Sequence, residues 1–104
     1  MTFGLAENII HDIKNIFPCF PEVEEVILYG SRAKGNYKTG SDIDLTLLGD
    51  NLNLSIVNKI SLQLDDLYLP YTFDLSIFNQ IDNPGLIDHI KRVGISLYKK
   101  QTNG

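Results

Sequence analysis

Tyr29-Gly30-Ser31-Arg32-Ala33-Lys34-Gly35-Asn36-Tyr37-Lys38-Thr39-Gly40-Ser41-Asp42-Ile43-Asp44-Leu45 is the stretch around which the rest of the chain arranges itself. The apolar run Val26-Ile27-Leu28-Tyr29 stops at a Gly-Ser turn, and a second apolar run opens at Asp42. Side chains alternate across a strand, so residues two apart share a face. In the second run Ile43, Leu45 and Leu47 share one face, and Asp42, Asp44 and Thr46 share the other. The apolar set belongs in the core, which turns both aspartates away from it. The run Thr72-Phe73-Asp74-Leu75-Ser76-Ile77-Phe78 obeys the same rule. Phe73, Leu75 and Ile77 face inward, and Asp74 and Ser76 face outward. If the two strands are neighbours in register, Asp74 lands beside Asp42 and Asp44.

Working outward, Thr2 to Phe17 reads as an amphipathic helix, with Leu5, Ile9, Ile13 and Ile16 on its stripe and Pro18 as its stop. Val23 to Tyr29 is a strand closed by Gly30. Ser31 to Lys34 can begin a short helix, and Lys38 to Ser41 is a turn ahead of the strand Asp42 to Leu48. Asn53 can cap a long helix carrying Leu54, Val57, Ile60 or Ser61, Leu64 and Leu67 on one side, stopped by Pro70. Tyr71 to Phe78 is a third strand. Asn83-Pro84 starts a last helix, with Asn as cap and Pro in the first turn. Gly94 reads as its left-handed stop. Ile95 to Tyr98 adds a short strand, and Lys99 to Gly104 should fray. The alternation predicts an α/β or α+β fold: a small mixed sheet of three to four strands with helices on one face and the site on the other.

Three clustered carboxylates repel one another unless a cation binds between them. An all-oxygen set suits Mg²⁺, with Mn²⁺ as an alternative. Mg²⁺ takes one or two protein carboxylates and completes its shell with water and phosphates. Asp42 and Asp44 could therefore bridge two ions, with Asp74 sharing one of them or acting as a general base toward a hydroxyl. Gly30 lets backbone N–H groups approach a phosphate, and Ser31 adds a hydroxyl. Arg32 and Lys34 could contact phosphates or be solvated surface charges.

A length of 104 residues predicts one domain spanning 1–104. The net charge of −4 argues against sequence-independent nucleic-acid binding, which needs clustered Lys and Arg. It leaves room for a nucleotide neutralised by metal. Cys19 is the single cysteine, so a reducing compartment is expected. No apolar run approaches the ~20 residues that cross a bilayer, and no secretory signal is visible. The expected location is the cytoplasm, with no membrane association.

At Leu28-Tyr29-Gly30-Ser31, Ser41-Asp42-Ile43-Asp44-Leu45 and Phe73-Asp74-Leu75 the chain resembles the DNA polymerase β-like nucleotidyltransferase superfamily. Within it, it is similar to the minimal nucleotidyltransferase (MNT) domains, and Gly94-Ile95-Ser96-Leu97-Tyr98 is similar to theirs too. The resemblance implies a polymerase β-like palm, ATP as substrate with Mg²⁺, and transfer of a nucleoside monophosphate to a hydroxyl. It implies Asp42, Asp44 and Asp74 as catalytic and metal-binding residues. It implies Gly30, Ser31, Arg32 and Ser41 as nucleotide- and phosphate-binding residues. It also implies a HEPN-domain toxin, encoded alongside, that the MNT protein neutralises, in some cases by adenylylating a tyrosine. A chain this short is expected to receive its acceptor on another protein. Tyr37, Tyr68, Tyr71 and Phe20 are either partner-facing or packing aromatics. Neutralisation by binding alone and adenylylation of a small molecule stay open as alternatives, as does homo-oligomerisation. His11 and His89 read as surface or packing residues.

Overall fold

The computed structural model describes residues 1–101. Four strands, β1 (Glu25–Tyr29), β2 (Ile43–Leu48), β3 (Phe73–Ile77) and β4 (Ile95–Lys99), form one mixed sheet in the order β3-β2-β1-β4. β1 runs antiparallel to both β2 and β4, and β2 and β3 are parallel. The helices are α1 (Glu7–Lys14), α2 (Ser31–Lys34), α3 (Leu54–Asp65) and α4 (Pro84–Val93). This is the expected α+β architecture.

Two parallel crossovers decide where the helices lie. β2 to β3 passes through α3 toward one edge of the sheet, and β3 to β4 passes through α4 back toward the other. Both crossovers are right-handed by the chirality of twisted strands, so opposite travel puts α3 and α4 on opposite faces. The contacts agree. Val26, Leu28, Ile43, Leu45 and Leu47 join Ile13, Ile56, Ile60 and Leu64 in the main core, which α1 and α3 cover. His89 of α4 instead meets Tyr29, on the alternate face of β1. To the expected one-sided cover of α1 and α3, α4 thus adds a partial roof over the site face. Thr46 lies on that face, as alternation requires, yet it is completely buried and its hydroxyl has no hydrogen-bond partner among the described residues.

Several boundaries moved for local reasons. α1 is shorter than expected. Residues 2–5 fold instead as a tight turn in which the Thr2 and Leu5 backbones exchange hydrogen bonds of 3.0 and 2.9 Å. Leu5 is buried all the same, because the turn delivers it to the core. Asn53 caps α3 as expected, accepting from the Ile56 N–H at 3.0 Å. The buried stripe of α3 is Ile56, Ile60 and Leu64, and Leu54 is 70% exposed. Asn83 caps α4 by accepting from the Gly85 and Leu86 N–H groups. Gly94 is not left-handed: its φ is −61°, and its lack of a side chain serves packing against the Ile90 carbonyl and Ile27. Lys99 belongs to β4, and the Lys100 N–H donates to the Glu24 carbonyl at 2.8 Å, so this part of the expected frayed tail is paired. Residues 102–104 of that tail lie outside the described residues.

Candidate active site

The parallel register of β2 and β3 sets Asp44 directly opposite Asp74. The antiparallel register of β1 and β2 sets Tyr29 opposite Asp44 on its other side. Asp42 stands one residue before β2 and is exposed, as is Asp74, while Asp44 is half-buried between them. The strand rule thus brings the three aspartates to one corner of the sheet.

Their electrostatics show the crowding. The Asp44 carboxyl is pushed up from its ordinary value, first by burial, then by the charges of Asp74 and Asp42, with His89 acting the other way. Tyr29 is also pushed up, chiefly by burial, with Asp74 and Asp44 adding to it. Ser76 stands close enough to the Tyr29 phenol to oppose that shift, but without the geometry that would satisfy its own hydroxyl. Among the described residues no three His, Cys, Asp or Glu side chains form a preformed metal cage. An open shoulder of mutually repelling carboxylates nevertheless fits Mg²⁺, which draws the rest of its shell from water and phosphate oxygens. Asp42 and Asp44 would hold the metal, and Asp74 would stand beside it.

Gly30 is required twice over. Its backbone is left-handed, with φ 77°. A Cβ there would also overlap the Asp44 carboxylate. Its N–H donates to His89 Nε2 at 3.1 Å, which places the imidazole proton on Nδ1. That N–H is therefore engaged by His89, not free for a phosphate as expected. Ser31 follows at the first position of α2 and is half-buried.

Arg32 departs from both sequence readings, being neither a solvated charge nor an open phosphate contact. It is 3% exposed. Its Nε and Nη2 donate to the Ser41 carbonyl at 3.1 and 2.8 Å, and Nη1 donates to the Phe3 carbonyl at 2.9 Å. The Tyr71 and Tyr37 rings lie 4.9 and 5.4 Å from its guanidinium carbon. Ser41 is likewise engaged within the protein: its hydroxyl accepts from the Lys38 N–H at 2.8 Å. Tyr37 and Tyr71, expected at a partner surface or in packing, are the rings of this cluster. Tyr68 is 89% exposed, and Phe20 is core.

His89, read from the sequence as a surface or packing residue, does pack, but it also reaches the Gly30 N–H, 59 residues away in the chain, a contact that no local signal announces. Its ring packs edge-on to Tyr29 with centroids 6.2 Å apart. A cleft of about 480 Å³ is lined by Glu22, Glu25, Leu48 and Lys99 among others, at the opposite ends of β1 and β2 from Tyr29 and Asp44. None of the three aspartates lines it, and it is not the candidate site.

No curated protein matches the chain in sequence. Solved structures match it in fold. One is a chain of a toxin–antitoxin complex with AMP-PNP: 23% identity, TM-score 0.68, covering 93% of this chain and 76% of that one. Another is a chain of the MntA–HepT toxin–antitoxin complex: 18% identity, TM-score 0.67, covering 92% and 74%. A third is a chain of the tri-AMPylated Shewanella oneidensis HEPN toxin in complex with its MNT antitoxin: 18% identity, TM-score 0.66, covering 91% and 73%. The family model described as "Polymerase beta, Nucleotidyltransferase" matches residues 11–103, nearly the whole chain, including Gly30-Ser31, Asp42, Asp44 and Asp74. The chain belongs to the polymerase β nucleotidyltransferase family.

Proposed function

We propose that this protein transfers AMP from ATP, with Mg²⁺, to a hydroxyl of a HEPN-domain toxin, a tyrosine being the preferred acceptor, and thereby acts as its antitoxin. The observation that carries the reading is the in-register Asp44–Asp74 pair, joined by Asp42 at the head of β2 and closed on one side by Gly30. The partner class is supported by the fold shared with MNT antitoxin complexes, one of which contains an AMPylated HEPN toxin.

The acceptor oxygen attacks the α-phosphorus of ATP and forms a new P–O bond. The bond from that phosphorus to the bridging oxygen of the β-phosphate breaks, and pyrophosphate leaves with the electron pair. Asp74, exposed on β3 opposite Asp44, would take the hydroxyl proton. Asp42 and Asp44 would hold the metal, which would supply charge neutralisation for the phosphates and make the acceptor hydroxyl more acidic. Gly30 keeps its side free of a Cβ so that Asp44 can sit against the turn.

The test combines the protein, ATP, Mg²⁺ and a HEPN partner, and reads the partner's mass. One or more added AMP groups are expected, and Asp42→Ala or Asp44→Ala should remove them while the fold persists. An unmodified partner that the double aspartate variant still neutralises would replace catalysis with neutralisation by binding.

A further inference from the structure

The link between the two halves of the site is an exposed loop. Residues 34–40 are exposed throughout, yet they join the Gly30–Ser31 turn to Asp42. At the far end of this loop the Ile43 N–H donates to the Thr72 carbonyl at 2.9 Å, where β2 begins to pair with β3. The Ser41 carbonyl, one residue before Asp42, receives two N–H groups of Arg32. Arg32 itself sits two residues after Gly30.

We propose that Arg32 is a positioning residue that fixes the distance between the Gly30–Ser31 turn and Asp42, with the N-terminal turn as its third support. This rests on the reading of Asp42 as a metal ligand. The lever is short on both sides, so the guanidinium fork ties the turn to the carboxylate without depending on the exposed loop. A guanidinium cannot discard its charge, so its burial has to be compensated. Here three hydrogen bonds to backbone carbonyls and two aromatic faces do so.

The N-terminal turn is shaped for the same purpose. Phe3 and Gly4 have φ of 58° and 73°, which aims the Phe3 carbonyl at Nη1. A Cβ on Gly4 would overlap the Tyr37 ring and crowd Nη1. All three side-chain hydrogen bonds of Arg32 go to the loop and the N-terminal turn, and Phe3 and Tyr71, its partners there, pack against the core.

The experiment uses Arg32→Met, Arg32→Ala and Arg32→Lys, with Mn²⁺ alone as the probe. Mn²⁺ affinity is read from water-proton relaxation, folding from circular dichroism and thermal unfolding, and AMP transfer in parallel. Groups that orient ligands from behind typically govern roughly 10–100-fold in metal affinity. The expected result is folded Met and Ala variants whose Mn²⁺ affinity is weaker by about tenfold or more. Millimolar methylguanidinium should restore part of that affinity in Arg32→Ala, because it returns the fork to the cavity. Arg32→Lys, which can reach one carbonyl but not fork two bonds onto Ser41, should fall between.

A folded Met or Ala variant with wild-type Mn²⁺ affinity would overturn the proposal. If both neutral variants fail to fold, Arg32→Lys decides, and wild-type affinity in that variant has the same consequence. If the wild type binds Mn²⁺ in an Arg32-dependent way but transfers no AMP, the proposed function fails and this inference stands.

Discussion

At the scale of single residues, the site is a balance between repulsion and close approach. Asp44 carries a raised carboxyl, so the folded chain holds its proton more tightly than the unfolded chain. Its unfavourable contribution is absent below the ordinary value of 3.8 and sets in as pH rises through the raised folded value. Asp44→Asn should therefore raise the melting temperature of the metal-free protein at neutral pH and flatten its fall above mildly acidic pH. A melting curve unchanged by that substitution across the range would count against the crowding. Gly30→Ala faces both a left-handed backbone and the Asp44 carboxylate. It should cost at least about 1–2 kcal/mol of stability and reduce AMP transfer, checked by denaturant unfolding and the partner's mass. The three aspartates were legible because strand alternation is a local rule. Arg32 and His89 were not, because what they bind is distant in sequence: Phe3 in one case and Gly30 in the other.

At the scale of elements, caps and stops were legible where one side chain satisfies orphan backbone groups, as Asn53 and Asn83 do. Asn53→Ala should destabilise the protein by about 1 kcal/mol through loss of the α3 cap, read from the shift in urea midpoint at constant slope. A shift indistinguishable from zero would mean that packing of Ile56 holds the end of α3 without the cap. The first helix was less legible. Leu5 continues the apolar period of Ile9 and Ile13, but the left-handed residues Phe3 and Gly4 reach the same core position by a turn. Periodicity reports which side chains are buried, not which backbone takes them there.

At the scale of the whole molecule, ligand binding and buried polar groups couple the site to stability. Mg²⁺ with a non-hydrolysable ATP analogue should raise the wild-type melting temperature, since it binds only the folded state. Asp42→Asn with Asp44→Asn should abolish that rise, and an equal rise in the double variant would place the nucleotide elsewhere. Thr46, opposite Ser76, keeps a buried hydroxyl without a partner among the described residues. Thr46→Val should gain roughly 1 kcal/mol in equilibrium unfolding, because it removes an unsatisfied polar atom while keeping the shape. A loss instead would show that the hydroxyl finds a partner in solution. By itself the sequence determined the strands, the face on which the aspartates stand and the turn beside them, because periods of two and 3.6 and the demands of glycine and caps act over a few residues. Only the tertiary structure decided that Asp44 and Asp74 share a register, that α4 roofs the site face and that Arg32 clamps the loop. Register, crossover handedness and the compensation of a buried charge depend on residues that meet only once the chain has closed on itself.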